Sequence, residues 1–466
     1  MNNPILSTLK TPSFAEYEES VYKIHQENAE REISESLNAL LLSPDLLTIL
    51  KQWAGSQAFS FHGRRKVGVR FKSGKKWEIK SPVFLKTEPK KRKRGRKPKR
   101  RRGVTRHFGF DLLGIFERCS PAFVKWCVHM AALSPSFEMA TLTLRNFGVT
   151  INHCLLRNMT YRYGKAAMKC RVECHSDDIW RKPGLRIQIC VDAGRSRERI
   201  TKRGKRPAGH KRQGFHTDWI APWQLIINVF DENGKIVKSH PPIIDGSCGN
   251  IDEFFTLLRR YLEVIDLERA SEVVFCADGG SGIWSRFEAL ADELNLEKPV
   301  FVLDYTHAKQ NLAEVTNILI KALRLSGKKA KSYRTRIGNM LWNGDIEGIE
   351  RIVTTLKEER KWRRGLSKAL KKLRDYFGDH RKFQYASLKS QNIPVGSGAI
   401  ESAIRRVINL RIKSPGMFWK RENVEMMILL RSLVLTGKLP NSYDAVTGVP
   451  LKMLNNGTLE QLPLAA

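Results

Sequence analysis

Apolar residues recur at three- and four-residue spacing through "EYEESVYKIHQENAEREISESLNALLL", and the spacing predicts helix over residues 13–50. Between 56 and 80 the period drops to two in "QAFSFHGRRKVGVRFKSGKKWEIK", which predicts a hairpin turning at Lys-Ser-Gly-Lys-Lys. Helical spacing returns in three segments over 120–163. They are "PAFVKWCVHMAAL", "SFEMATLTLRNFG" ending at Gly148, and "VTINHCLLRNMTYRYG", with Thr150 as the expected N-cap. From 185 the pattern becomes short apolar runs: "LRIQICVDAGR", then "WQLIINVFDENGKIVKSHPPII" with a turn at Asn233-Gly234. A helix, "NIDEFFTLLRRYLEVI", leads to the strand "ASEVVFCADGGSGIW", the helix "SRFEALADELNL" and a third buried strand in "KPVFVLDYTHAKQNL". Residues 307–390 show helical patterns only. Beyond them Ile400, Ile404, Val407, Ile408 and Ile412 form the apolar stripe of one more helix.

Strand, hairpin, helix, strand, helix, strand is the order of a mixed α/β sheet. The expected divisions are an N-terminal helix plus small β region (1–85), a basic arm (86–106) and a helix-turn-helix region (107–166). A sheet-bearing core follows (180–306), then an all-helical insertion (307–392), a return to the core (393–435) and a C-terminal tail (436–466). The helix-turn-helix layout would turn Asn152, His153 and Arg157, with Asn158, toward a groove. An ordinary three-helix connector has the same pattern.

Charge changes the picture more than composition does. The chain carries 82 Lys and Arg against 47 Asp and Glu, a net +35, which repels itself unless it meets a polyanion. Residues 90–102, "KKRKRGRKPKRRR", hold 11 Lys or Arg in 13 positions with no apolar residue. Such a tract is expected to be disordered and to bind phosphates through Lys90, Lys91, Arg92, Arg94, Arg96 and their neighbours. Nucleic acid is the expected partner, bound in a salt-sensitive way. No run of 18 uncharged apolar residues occurs, so no membrane span is expected, and the N-terminus lacks a secretory layout. Eight scattered cysteines without a Cys-x-x-Cys pair suit free thiols in a reducing, cytosolic compartment.

Three acids then stand out, because each closes an apolar strand: Asp192 after "RIQIC", Asp278 after "VVFCA" and Asp304 after "VFVL". In open α/β sheets the carboxyl ends of strands line the site crevice. Carboxylates brought together there repel one another unless divalent cations neutralise them. Magnesium suits such oxygen ligands, and two ions can serve an in-line phosphoryl displacement. Each acid taken singly could instead cap the helix that follows it. Glu401 borders the apolar stripe of its helix, one turn before Arg405, and so can face the strand ends or pair with Arg405 at the surface.

The motifs "VDAGR", "TDWIAPWQLIINVFDENGK", "ADGGSGIW", "DYTHAKQNL" and "GSGAIESAIRRVINLRIKSPGMFW", with "RHFGFDLLGIFERCSPAF" and "SFEMATLTLRNFGVTIN" before them, cover much of 105–435. Together they resemble bacterial insertion-sequence transposases of the DDE type, in the Mutator-like branch, whose RNase H-like catalytic domain is interrupted by a helical insertion. The resemblance implies that Asp192, Asp278 and Glu401 are the catalytic, metal-holding acids, with Asp304 and His307 as a supporting Asp-x-x-His pair. The spacing agrees: 86 residues separate the two aspartates, and 123 separate Asp278 from Glu401.

It further implies DNA cleavage and strand transfer with two Mg²⁺ ions, for which Mn²⁺ may substitute. The expected partners are terminal inverted repeats and target DNA, bound by a homo-oligomer in a synaptic complex, in a cytoplasmic, nucleoid-associated setting. Arg405, Arg406 and Lys413 would flank the DNA at the site. Alternatives are a non-catalytic DNA-binding regulator derived from a transposase, and a structure-selective nuclease on the same fold.

Overall fold

The computed structural model describes residues 14–86, 103–175, 178–206, 208–210, 213–280, 282–359, 363–378 and 383–448. Lys90, Lys91, Arg92, Arg94 and Arg96 of the basic tract lie outside the described residues. The chain divides into two compact units, Met1–Cys174 with Lys438–Ala466, and His175–Gly437. No single described helix is long and apolar enough to cross a membrane.

In the first unit the expected N-terminal helix is two helices, α1 (Phe14–Leu42) and α2 (Pro44–Ser56). Pro44 excludes helical backbone at the preceding residue, and Ser43 accordingly stands at φ −54°, ψ 133°. The hairpin forms as β1 (Ser60–Arg70) and β2 (Lys76–Lys86) in antiparallel register. A third strand, β3 (Val104–Arg106), pairs with the end of β2, Lys86 opposite Val104. Composition placed both ends of this pairing in the disordered arm. The β-branched pair Val104-Thr105 extends the sheet instead. Leu41, Leu50, Val69, Phe84 and Phe108 build the core of this part, Phe108 from the short helix α3 (Phe108–Leu112). Glu30 is buried beside it and accepts from the Ser73 amide (2.6 Å), the Ser73 hydroxyl (2.7 Å) and the Trp77 indole (2.9 Å).

Three helices follow: α4 (Pro121–Leu133), α5 (Phe137–Asn146) and α6 (His153–Ala167). Gly148, at φ 73°, ends α5; its amide and that of Val149 return to the carbonyls of Arg145 and Leu144. The cap of α6 differs from the expectation. Asn152 caps it, its side chain accepting from the Leu155 amide at 2.8 Å. Thr150 sits two residues earlier, and its amide donates to the Ser73 carbonyl at 2.7 Å. The β1–β2 turn is thereby docked under the α5–α6 turn.

The second unit holds a five-stranded sheet built from β4 (Arg186–Ala193), β7 (Trp223–Phe230), β8 (Ile243–Ser247), β9 (Glu272–Ala277) and β10 (Val300–Leu303). Between β4 and β7, β5 (Ser196–Thr201) and β6 (Phe215–Ile220) form a separate two-stranded ribbon. The order across the sheet is β10-β9-β4-β7-β8. β4, β9 and β10 run parallel, and β7 and β8 are antiparallel to their neighbours. This mixed sheet is consistent with the expected RNase H-like core. Its central strands are buried at consecutive positions, so helices cover both faces. The cover includes α7 (Ile251–Val264), entered through a capping box of Asn250 and Glu253, and α8 (Ile283–Glu293).

After β10 come α9 (Tyr305–Ala322), α10 (Gly327–Trp342), α11 (Ile346–Glu359), α12 (Arg363–Phe377) and the short α13 (Tyr385–Ser390). Each of the first three packs on the next, and α12 returns to α9, which closes the helical block beside the strand ends. The chain then re-enters the core as α14 (Gly398–Ile404), a π-helical turn (Arg405–Asn409) and α15 (Arg421–Leu435). A last helix, α16 (Leu439–Thr447), belongs to the first unit, where the Tyr443 hydroxyl donates to the Gly114 carbonyl at 2.8 Å.

The docking of the β1–β2 turn yields a prediction. Gly74 lies at φ 85°, and a Cβ there would overlap the Thr150 carbonyl oxygen, which is backbone and cannot rotate away. Gly74→Ala should cost about 2–3 kcal/mol of stability in a denaturant titration. A loss below about 0.5 kcal/mol would show that this turn is not held against the α5–α6 turn.

Candidate metal centre

Strand register sets the three aspartates at one level of the sheet. Val191 of β4 is paired with Ala277 of β9, and Ala277 with Leu303 of β10. Asp192, Asp278 and Asp304 are the next residue in each case, so they emerge at one level along one edge of the sheet. All three strands are parallel, which makes that edge the carboxyl end of each.

The three acids have different surroundings. Asp304 is completely buried and its oxygens are committed. Oδ1 accepts from the Ser397 amide at 2.8 Å, and Oδ2 accepts from the His307 amide at 3.0 Å and faces His307 Nδ1 at 2.6 Å. It therefore caps α9 and also fixes an imidazole. The tautomer that satisfies the buried carboxylate carries its proton on Nδ1, which leaves the Nε2 lone pair for a ligand. This is the outer-shell arrangement by which carboxylates orient metal-binding histidines. Asp192 accepts only from its own neighbour, Ala193 N, at 2.6 Å, and Asp278 receives the Gly280 amide at 3.0 Å in the glycine turn after β9.

Glu401 reaches this edge because three hydrogen bonds tie the turn before its helix to β4 and to the β10–α9 junction. The Gln188 side chain of β4 donates to Gly396 O (3.2 Å), the Tyr305 amide to Val395 O (3.0 Å), and the Ser397 amide to Asp304. Ile400, Ala403 and Ile404 of α14 are buried against β4 and β7, while Glu401 stays exposed one residue away from that stripe. The helix is not regular throughout as the spacing suggested. At Arg405 it widens into the π-helical turn, where the Leu410 amide donates five residues back to Arg405 O at 3.0 Å and Arg431 Nε donates to Arg406 O. Such widened turns are often found at functional sites.

Ligand atoms of Asp304, His307 and Glu401 lie within 4.8 Å of one another. Asp192 belongs to the same electrostatic cluster. Burial raises its carboxyl pKa, the Ala193 amide partly opposes that, the charge of Asp278 raises it, His307 lowers it, and Glu401 raises it again. Among the described residues, none of Asp192, Asp278 and Glu401 is in an ion pair, although the chain holds 82 Lys and Arg. The donor set is carboxylates plus one imidazole, left without a cationic side chain. That chemistry fits a divalent cation, with the nitrogen donor widening the choice toward manganese.

Several participants were not singled out from the sequence. Tyr376, at the end of α12, lays its ring against Gly279, where any Cβ would overlap it. Burial pushes its phenol up to about 12, with the Gly279 amide and Asn311 opposing and the Asp278 and Asp304 charges reinforcing. Asn311 donates in turn to His307 O at 3.0 Å. Gly279 stands beside Asp278, and the two glycines of that turn are the only sequence sign that a ring from elsewhere comes close.

The expected DNA-facing residues have mixed fates. Arg405 and Lys413 are exposed, whereas Arg406 is half-buried and directs Nε to Ser402 O at 3.4 Å. In the first unit His153 is exposed and Arg157 half-buried, and the Asn152 carbonyl oxygen is occupied by its capping bond.

The Asp192 carboxyl gives a pH prediction. Its folded pKa lies above the unfolded value, so between the two the folded state holds more protons, and stability falls as pH rises through that window. In EDTA, Asp192→Asn should therefore be more stable than wild type at pH 7, and the gap should close as pH drops below about 4. Added Mn²⁺ should narrow it at pH 7 by stabilising wild type alone. A gap independent of pH would contradict a raised Asp192 pKa.

Comparison with known proteins returned no matching family model and no matching curated protein. Among solved structures, the chain is similar to the Drosophila P element transposase strand transfer complex, at 11% identity and a TM-score of 0.25. The match covers 70% of this chain and 81% of that one.

Proposed function

We propose that the chain is a DDE-type DNA transposase whose chemistry is carried by Asp192, Asp278 and Glu401, with His307 held beside them by Asp304. The observation that carries this reading is that Asp192, Asp278 and Glu401, at the carboxyl edge of the sheet, are in no ion pair among the described residues of a chain of net charge +35. Acids left without cationic side chains amid such an excess are suited to metal ions and a phosphate backbone. The motif resemblance adds the reaction class.

In this reading the three carboxylates would hold two Mg²⁺ ions, and Nε2 of His307 would be a further donor. When bound, the ions lower the pKa of the attacking hydroxyl and neutralise charge on the phosphate and the leaving oxygen. The chain's own groups position them. Asp304 fixes the imidazole, the Ser397–Asp304 bond sets the start of the Glu401 helix, and Tyr376 with Asn311 braces the turn after Asp278. Arg405 and Lys413 lie along the helix and segment that follow Glu401, where phosphates would pass.

Hydrolysis would break one P–O bond at an element end, placing water oxygen on phosphorus and freeing a 3′-hydroxyl. That hydroxyl would then form a new P–O bond in target DNA as another is broken, so no external energy source is needed. The first unit, with His153, Arg157 and the tract containing Lys90, Lys91, Arg92, Arg94 and Arg96, would bind the terminal inverted repeats. Two ends cut together imply a homo-oligomer in the synaptic complex.

Glu401→Gln should lower Mg²⁺- or Mn²⁺-dependent cleavage and strand transfer by roughly a hundredfold or more. Binding to the same DNA in EDTA should be retained. Unchanged activity would remove Glu401 from the mechanism. Cleavage by wild type without joining would point to a nuclease, and binding without cleavage to a regulator.

A further inference from the structure

The ribbon β5–β6 has no part in the account above, yet it springs from the site. β4 ends at Ala193, the Gly194 amide donates to Pro222 O at 2.9 Å to close the ribbon's base, and β5 begins at Ser196. Residues 195–220 hold nine Lys and Arg against two acids. Every residue of β6 from Phe215 to Trp219 is exposed, so no core lies behind it. An isolated two-stranded ribbon is marginal in water without further packing.

Register sorts its side chains. Arg197 is opposite Trp219, Arg199 opposite Thr217 and Thr201 opposite Phe215, while Glu198 is opposite Asp218 and Ile200 opposite His216. Because side chains alternate, the first set shares one face and the second the other. Both acids fall on the second face. There Glu198 is bound by Arg421 at 3.0 Å, and Asp218 accepts from Trp219 N at 2.8 Å.

The first face carries no acid. Arg199 lies over the Phe215 ring at 4.2 Å, and Arg197 lies 5.5 Å from Trp219 and 5.4 Å from Phe418. Trp219 is 56% exposed and Phe215 37%. The free edge of β5 is held by the segment beyond Lys413, with Arg199 N donating to Trp419 O at 2.7 Å and Trp419 N to Arg197 O at 3.3 Å. The ribbon is thus braced to the chain on both sides of the site, after Asp192 and after the Glu401 helix.

We infer that this arginine–aromatic face is a nucleic-acid-binding surface that grips the DNA next to the acidic cluster. Flat guanidinium groups stacked on rings keep their N–H edges free for phosphate oxygens. Exposed rings between them offer stacking area to bases and sugars. Placing both acids on the opposite face removes the repulsion a polyanion would otherwise meet. The inference rests on the reading that DNA is the substrate and adds a surface which that reading does not assign.

The test is fluorescence anisotropy of a labelled DNA duplex carrying a single-stranded overhang with the full chain in EDTA, over a salt series, so that no chemistry is required. The double change Arg197→Glu with Arg199→Glu should weaken binding roughly tenfold and flatten the log–log salt dependence by about 1–2. Trp219→Ala, at a position more than half exposed, should weaken it roughly fivefold or more with the salt slope unchanged. His216→Ala, on the opposite face, should have no effect. Far-UV circular dichroism and the thermal midpoint check that each variant is folded, and Trp219→Ala keeps the test valid if the double variant is not.

Affinity within twofold of wild type for both the folded double variant and Trp219→Ala would overturn the inference. So would unchanged affinity accompanied by loss of self-association in sedimentation, which would make the face a protein contact. Wild type that fails to bind DNA at all would defeat the DNA reading itself, whereas wild type that binds while the variants are unaltered defeats only the ribbon.

Discussion

Like charges held at one edge of a sheet are the constraint on which the second unit depends. Three parallel strands in register deliver Asp192, Asp278 and Asp304 to the same level, and α14 adds Glu401. Burial disfavours the charged state of Asp192 first of all, and the charges of Asp278 and Glu401 add to it, so its carboxyl is displaced upward. The fold disperses part of this cost by giving Asp304 two amides and an imidazole. Among the described residues it leaves the remaining acids without an ion-pair partner, an arrangement that a protein rich in arginine and lysine could easily have avoided.

That division of labour orders the neighbouring structure. One carboxylate is structural: Asp304 joins the start of α9, the imidazole of His307 and the turn before α14 through a single buried group. The others are in no ion pair among the described residues. The helical block between β10 and α13 has a corresponding place, because α12 returns to α9 and brings Tyr376 against the turn that follows Asp278. An insertion of this kind does more than lengthen the chain. It supports the acidic edge from a side the sheet does not cover.

Much of this was legible in the sequence, where local rules operate. Continuous apolar runs ending in aspartate marked the parallel strands, and the stripe from Ile400 to Ile412 marked the buried face beside Glu401. What was not legible depends on contacts between distant residues. Nothing local shows that the Ser397 amide binds Asp304, or that Tyr376 lies on Gly279. The helix widens at Arg405, where Arg431, from a later helix, donates to the Arg406 carbonyl. The shift of the α6 cap from Thr150 to Asn152 follows from the docking of the β1–β2 turn. At Pro44 the local rule was present and overrode the helical spacing. On the ribbon, the segregation of acids from arginines appears only once the register is known.

Anomalous diffraction from crystals grown with Mn²⁺ tests the central claim most directly. The account predicts a manganese peak at the carboxyl edge of the sheet, within about 2.5 Å of oxygens from both Asp192 and Glu401. The imidazole of His307 should face the ion while Asp304 remains bound to the Ser397 amide. No peak at this edge, or Glu401 turned to solvent with Asp192 paired to a basic side chain, would contradict it.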